Sequence, residues 1–300
     1  MELELDRMKE IFNRARQEIG KVVIGQDQAV TCAMIAIFTN NHALIEGVPG
    51  IAKTLMVRTL AHVLGCDFGR IQFLRGAHYQ DMECWPPYWA GLPPMRYATH
   101  AVSPLLALAG TRATKVHCFG SGTMREELRK QYGNPFPVET AIYELAIPGL
   151  CAEVTRSLFH CARPYMESFT IYGENACYEW QMEGEAPMLF RASPVTPGCT
   201  RTQSEERPEA PDQPDLLPPS IGRFTKRFVY GQDDRHLSFE QGGGHHGSHP
   251  HLVHEFVRSI VEERKPWIDA VTAANWTAAG ICAHESAMAG GREVVIPDFA

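Results

Sequence analysis

Apolar residues at Leu5, Met8, Ile11, Phe12, Ala15 and Ile19 recur at helical spacing and predict an amphipathic helix with one buried stripe. A glycine break at Gly25 separates it from a second predicted helix, from about Gln26 to Phe38. "HALIEG" (42–47) then reads as a short apolar strand, followed by a glycine-rich turn. "LMVRTLAHVLG" (55–65) continues as a helix, and "GRIQF" (69–73) reads as a second strand. Beyond Phe73 the pattern changes. Polar and aromatic loop material leads to an apolar helix from about His100 to Ala109, capped by Gly110. Runs that alternate apolar and polar residues, or carry β-branched and aromatic ones, follow: "KVHCFGSG", "TAIYELAI", "CAEVTRSLFHC", "ESFTIYGENACYEWQ" and "PMLFRA". A helix, "TMREELRKQYG", interrupts them. The proline- and charge-rich stretch 194–220 reads as a surface loop insertion. "SHPHLVHEFVRSIVEERKPW" predicts a helix with Ser248 as N-cap and Leu252, Val253, Phe256, Ile260 and Val261 facing inward, closed by Lys265-Pro266. A last helix, Ala270 to Met288, ends at Gly290-Gly291, and "REVVIP" returns as a strand. The fold class expected is an α/β fragment over 1–73, followed over 74–300 by an α+β domain with an open, mainly antiparallel sheet.

Composition narrows the function classes. The 300 residues are 44% hydrophobic and 21% charged, ample for a globular core. The net charge is −7, and residues 1–73 hold eight Lys/Arg against eight Asp/Glu, so the excess acid lies after residue 73. Nucleic acid is therefore not an expected partner, since binding it requires cationic side chains against phosphates. The nine cysteines form no CxxC pair, which suits a reducing compartment. No signal-like opening and no apolar run of about eighteen residues is present, so a cytoplasmic protein without a membrane span is expected.

The turn "EGVPGIAKT" carries the clearest chemistry. Strand, glycine-rich loop and helix form a P-loop context, in which Gly47, Val48, Pro49, Gly50, Ile51, Ala52, Lys53 and Thr54 surround phosphate oxygens. Lys53 would reach the β- and γ-phosphates of ATP, and Thr54 would hold Mg²⁺. Ala52 stands where a glycine is usual. Together, "VVIGQDQAV", "HALIEGVPGIAKT" and "FGRIQF" resemble the MoxR family of AAA+ ATPases over roughly residues 6–73. The resemblance implies that Val23, Ile24, Gly25 and Gln26 line the adenine pocket. A hydrolysing domain also needs an apolar strand ending in Asp-Glu, to hold Mg²⁺ and activate water. "VVIPDF" ends in Asp298 without a glutamate, and "AIYELAIPG" offers Glu144 without an aspartate, so hydrolysis is not expected.

"ATHAVSPLLALAG", "FTIYGENACYEW", the long stretch from "HLVHEFVRSIVEERKPW" to "AMAGG", and "EVVIPDF" together resemble the C-terminal domain of the Gfo/Idh/MocA oxidoreductases over about residues 74–300. That resemblance implies a domain that lines the pocket for sugars, inositols or related polyols and forms homo-oligomers through its sheet. It also implies His100 as the active-site histidine that moves a hydroxyl proton while hydride leaves the same carbon. Arg96 and Ser103 stand where acids are common in the family, so His100 is expected to lack carboxylate neighbours. NAD(P) is implied by the family, but its cradle needs a strand, a GxGxxG turn and a helix, which this sequence does not offer. "GGGHHG" (242–247) follows no buried strand and is discounted.

His245, His246, His249, His251 and His254 fall within ten residues. They read as a polar cap lining a sugar pocket, with a zinc-dependent hydrolase as the alternative. Three functions follow. The chain is an oxidoreductase-type substrate domain joined to a truncated P-loop, catalytically incomplete on both sides. Alternatively it is a MoxR-like ATP-binding protein with ATPase activity. Thirdly, the abrupt change at Phe73–Leu74 suits a chimera of two partial genes.

Overall fold

Alternation at Leu74, Gly76, His78 and Gln80 places these four residues on the buried side of strand β1 (Ile71–Gln80), the strand that organises the larger part of the molecule. A computed structural model describes residues 11–16, 19, 34, 68–182, 185–193, 195–207, 214–229 and 240–299. The chain divides into two compact units, one of Met1–Asp67 with Pro211–Trp267 and a larger one of Phe68–Ala210 with Ile268–Ala300.

In the larger unit, β1 is followed by helix α1 (Thr99–Ala109), β2 (Ala113–Ser121), helix α2 (Glu126–Tyr132), β3 (Val138–Leu145), β4 (Cys151–Ser157) and β5 (Tyr165–Gly173). Strands β6 (Ala176–Trp180), β7 (Met188–Ala192) and β8 (Gln203–Glu206) extend the sheet. In the smaller unit, β9 (Phe228–Val229) pairs with β10 (Glu240–Gln241), and helix α3 (Ser248–Val261) follows a tight turn. Helix α4 (Ala270–Met288) and β11 (Val294–Val295) complete the larger unit.

Among the described residues, nine strands form one open sheet in the order β11-β2-β3-β4-β1-β5-β6-β7-β8. Within these nine strands β1 and β4 pair in parallel, and every other neighbouring pair is antiparallel. The expected open, mainly antiparallel α+β architecture is thus the one observed. Helices α1 and α4 pack on one face, where Leu74, Leu105, Val116, Ala141, Tyr143 and Val154 are at most 1% exposed. The neighbouring positions point the other way and leave Phe119 63% and Ile142 44% exposed.

Two expectations about helices stand and two about strands need correction. Helix α1 ends at Gly110, whose φ of 64° is the left-handed cap that glycine adopts without strain. Helix α4 has the expected bounds, and Asp269 caps it by accepting from the Thr272 amide at 2.8 Å. The strand expected at 69–73, however, runs without interruption to Gln80. The polar residues Arg75, His78 and Gln80 mask it in the sequence. Part of the expected loop 194–220 is also β8, an exposed edge strand paired with β7.

The smaller unit differs from expectation on α3. Leu252, Val253, Phe256, Ile260 and Val261 are 60–76% exposed rather than inward-facing. Spacing defines an apolar stripe, but it does not say what covers the stripe. Gly247, at φ 86°, precedes the helix without a side-chain cap, and Ser248 is its first residue rather than its cap. Its far end is held by Glu255, which accepts from both Arg264 terminal nitrogens at 2.7 and 2.8 Å and from the Trp267 amide at 2.9 Å. Near the N-terminus, residues 11–16 are helical with Ala15 and Ile19 buried, but Ile11 is 48% exposed.

Candidate functional site

The buried face of β1 is polar at one end because three elements bring ionisable groups together there. His78 on β1 and Glu167 on β5 are direct cross-strand partners. His100, in the first turn of α1, lies over them: its Nδ1 is 2.5 Å from Glu167 Oε1. Its ring centroid is 4.7 Å from that of His78. Tyr165, two residues before Glu167 on the same strand face, donates its hydroxyl to the same carboxylate oxygen at 2.5 Å. Burial alone would raise the Glu167 pKa. The hydrogen bonds from His100 and Tyr165 and the two neighbouring imidazoles outweigh it and hold the carboxyl down at about 2. Glu167 is therefore an anion that orients His100.

The site has a dry floor and a wet rim. His78 and Arg156 are fully buried, whereas the His100 and Glu167 side chains are 23% and 21% exposed. Tyr97 packs on His100 with centroids 5.2 Å apart, and Trp89 packs on Tyr97 at 5.3 Å. Arg156, on β4, lies beneath. It donates to the carbonyls of Tyr97 (2.8 Å), His78 (2.9 Å) and Ser157 (2.8 Å) and to Gln80 Oε1 (3.1 Å). Its guanidinium carbon is 5.2 Å from the Tyr97 ring centre. Burial pulls its pKa down to about 9 against the pull of Tyr97, Tyr165 and Glu167.

Close backbone contacts set the position of His100. A Cβ at Gly76 would lie 2.6 Å from the Ala101 carbonyl oxygen, so glycine lets α1 sit directly on β1. The turn before α1 is held by Glu139, whose Oε2 accepts from the Met95 amide at 2.8 Å and whose Oε1 lies 2.7 Å from His284 Nδ1. A Cβ at Gly280 of α4 would come within 2.2 Å of the Met95 carbonyl oxygen.

His100 is the one sequence-designated residue within this cluster. The expectation that it lacks a carboxylate neighbour is corrected: Glu167 supplies one from β5, sixty-seven residues away in sequence. Arg96 is exposed, and the Ser103 hydroxyl folds back onto the Thr99 carbonyl. His78, Tyr165, Glu167 and Arg156 escape a reading along the chain because each lies in a strand and meets the others only through pairing. The period-two row of Leu74, Gly76, His78 and Gln80 is the signal that could have found the first of them. The adenine-pocket residues Val23–Gln26 and the phosphate-loop residues Gly47–Thr54 lie outside the described residues.

Among the described residues, one set of three metal-ligating side chains converges, His78, His100 and Glu167; His249, His251 and His254 on α3 belong to no such set. The "GGGHHG" segment forms a 3-10 turn after the two-residue strand β10. It is not the parallel strand and glycine turn of a dinucleotide cradle, so the described residues there do not fit NAD(P).

Comparison with known proteins divides along the same lines. Residues 42–83 match the family described as "ATPase family associated with various cellular activities (AAA)". Chaperone MoxR1 of Mycobacterium tuberculosis is 48% identical over 62 residues, 21% of this chain and 16% of that protein. For most of the chain the likeness is to solved dehydrogenases. Levoglucosan dehydrogenase in complex with NADH superposes with a TM-score of 0.57 at 16% identity, covering 79% of this chain and 62% of that one. The same enzyme with NADH and L-sorbose gives 0.55 at 17% identity, covering 84% and 64%. The fold is the one that these dehydrogenase structures share. An oxidoreductase domain protein from Kribbella flavida shares it, with a TM-score of 0.52 at 14% identity over 81% of this chain and 62% of that one. The chain thus spans under two thirds of these structures and about a sixth of the MoxR relative. The AAA match includes β1, which the dehydrogenase-like sheet uses as a central strand. Among the described residues, no helix is long and apolar enough to cross a membrane.

Proposed function

We propose that the larger unit is the substrate side of a sugar- or polyol-handling site, and that the chain by itself is catalytically incomplete. One observation carries this reading: a histidine at the start of α1 is held by an anionic Glu167, itself bonded by the Tyr165 hydroxyl, beside the half-buried rings of Tyr97 and Trp89. A polyol needs such a group. Its hydroxyls take hydrogen bonds from a fixed donor–acceptor pair, and its C–H faces pack on rings such as Tyr97 and Trp89. With Nδ1 engaged by Glu167, Nε2 of His100 is the nitrogen that exchanges a proton with a substrate hydroxyl. The carboxylate stabilises the imidazolium that results. The neighbouring levoglucosan dehydrogenase, solved with NADH and L-sorbose, supports the substrate class. Because the described residues offer no dinucleotide cradle, we derive no hydride step.

Calorimetric titration with levoglucosan, L-sorbose and myo-inositol tests the reading. At least one is expected to bind saturably, with affinity falling at least about 10-fold in His100→Ala and in Glu167→Gln, since a site built to hydrogen-bond hydroxyls loses that much when a partner is removed. Equal binding by both variants would refute the site.

A second reading, ATP binding at Gly47–Thr54 with Mg²⁺ on Thr54, is favoured by the AAA match over residues 42–83. Mg·ATP binding that vanishes in Lys53→Ala would support it, and a chimeric origin would show in genomic sequence across codons 70–80. The exposed face carrying Phe119 and Ile142 suits a homo-oligomer contact. A monomer in sedimentation velocity at micromolar concentration would remove that contact.

A further inference from the structure

We infer that His78, His100 and Glu167 form a binding site for one divalent transition-metal ion of the zinc class, with an open coordination position toward solvent. The inference goes beyond the sugar reading and does not depend on it.

The donor set is the first ground. Two imidazole nitrogens and one carboxylate oxygen suit zinc and its first-row neighbours, whereas Mg²⁺ and Ca²⁺ prefer oxygen alone. Geometry is the second. One ligand atom from each residue lies within 4.8 Å of the others. Bonds of about 2.0–2.1 Å around a tetrahedral centre put ligand atoms roughly 3.3 Å apart. The His100–Glu167 contact of 2.5 Å therefore opens by under about 1 Å as the ion replaces the proton the two groups share, and the wider separations close inward. His78 is the anchored member of the set. It is fully buried on a central strand, and Arg156 holds its carbonyl at 2.9 Å.

Support from neighbouring groups is the third ground. Ligating carboxylates are themselves held by hydrogen bonds, and Tyr165 supplies one to Glu167. Three protein ligands with a solvent-facing side match catalytic rather than structural sites, in which water or a substrate oxygen takes the fourth position and becomes more acidic. His100 and Glu167, each about a fifth exposed, mark that side. A loaded site would make His100 a ligand, so proton exchange would pass from the imidazole to the metal-bound oxygen. The buried guanidinium of Arg156 opposes the cation, so the affinity expected is micromolar rather than nanomolar.

The test uses the full chain, stripped with EDTA, dialysed and free of nucleotide. Titration with Zn²⁺ is expected to show one equivalent bound with a micromolar dissociation constant. Co²⁺ is expected to give the visible bands of a four- or five-coordinate site. His100→Ala and Glu167→Gln, both at part-exposed positions and checked for native circular dichroism, should each weaken binding at least about 10-fold. The triple change of His249, His251 and His254 to alanine should leave it unaltered. Absence of stoichiometric Zn²⁺ binding, or binding that survives in the His100→Ala/Glu167→Gln double variant, would overturn the assignment. Polyol binding measured on the stripped protein stays valid under either result.

Discussion

Replacing Arg156 with methionine is expected to lower the stability of the larger unit by about 3–5 kcal/mol. Methionine fills much of the volume but donates nothing, so two buried carbonyls, the part-buried Tyr97 carbonyl and Gln80 Oε1 lose their donor together. Two effects oppose each other here. Burying the guanidinium is unfavourable, as its lowered pKa records, and methionine removes that penalty. Hydrogen bonds from a charged donor contribute about 1.5–3 kcal/mol each, however, and four of them outweigh one desolvation. None of these four bonds goes to a carboxylate, and Glu167 acts on the guanidinium only through its charge, so the case is closer to breaking a hub than to replacing an ion pair. Arg156→Lys, with a single ammonium, should fall between the two. Urea unfolding followed by tryptophan fluorescence measures the change, because four of the five tryptophans, Trp85, Trp89, Trp180 and Trp276, lie in the larger unit. A midpoint within error of the original protein would show that Arg156 is not the keystone of the site.

Glu139→Ala is expected to cost about 2–4 kcal/mol by a different route. Glu139 is fully buried and joins the turn before α1 to α4, through the Met95 amide and His284. Alanine leaves a buried N–H and a buried imidazole without that acceptor. Glu139→Gln keeps an acceptor for Met95 and should recover about half of the loss. Because Met95 lies five residues before His100, polyol affinity should fall with stability in Glu139→Ala and return in Glu139→Gln. Calorimetry on both variants checks this. A stability loss with unchanged affinity would mean that the turn does not position His100.

What the sequence made legible follows from how far each signal travels along the chain. Helix α4 needs only Asp269, Gly290 and the residues between them, so local rules suffice. Helix α1 with its Gly110 cap is equally local, and it carries His100, the one member of the His78–His100–Glu167 cluster identified in advance. Glu167 had no such route. It sits within an ordinary alternating strand, and only the register that sets it opposite His78 gives it a role. β1 shows the converse: its inward row carries the buried polar residues His78 and Gln80, and they hide the strand. The apolar stripe of α3 is a third case, since periodicity gives the stripe but not its cover.

The central proposal is that the larger unit is the substrate side of a dehydrogenase-type site, with no hydride acceptor's cradle among the described residues. Reduced nicotinamide formation decides it most directly, with purified chain, NAD⁺ or NADP⁺, and whichever polyol the calorimeter shows to bind. A flat baseline in a sample that demonstrably binds the polyol is the expected result. Steady turnover that disappears in His100→Ala would contradict it.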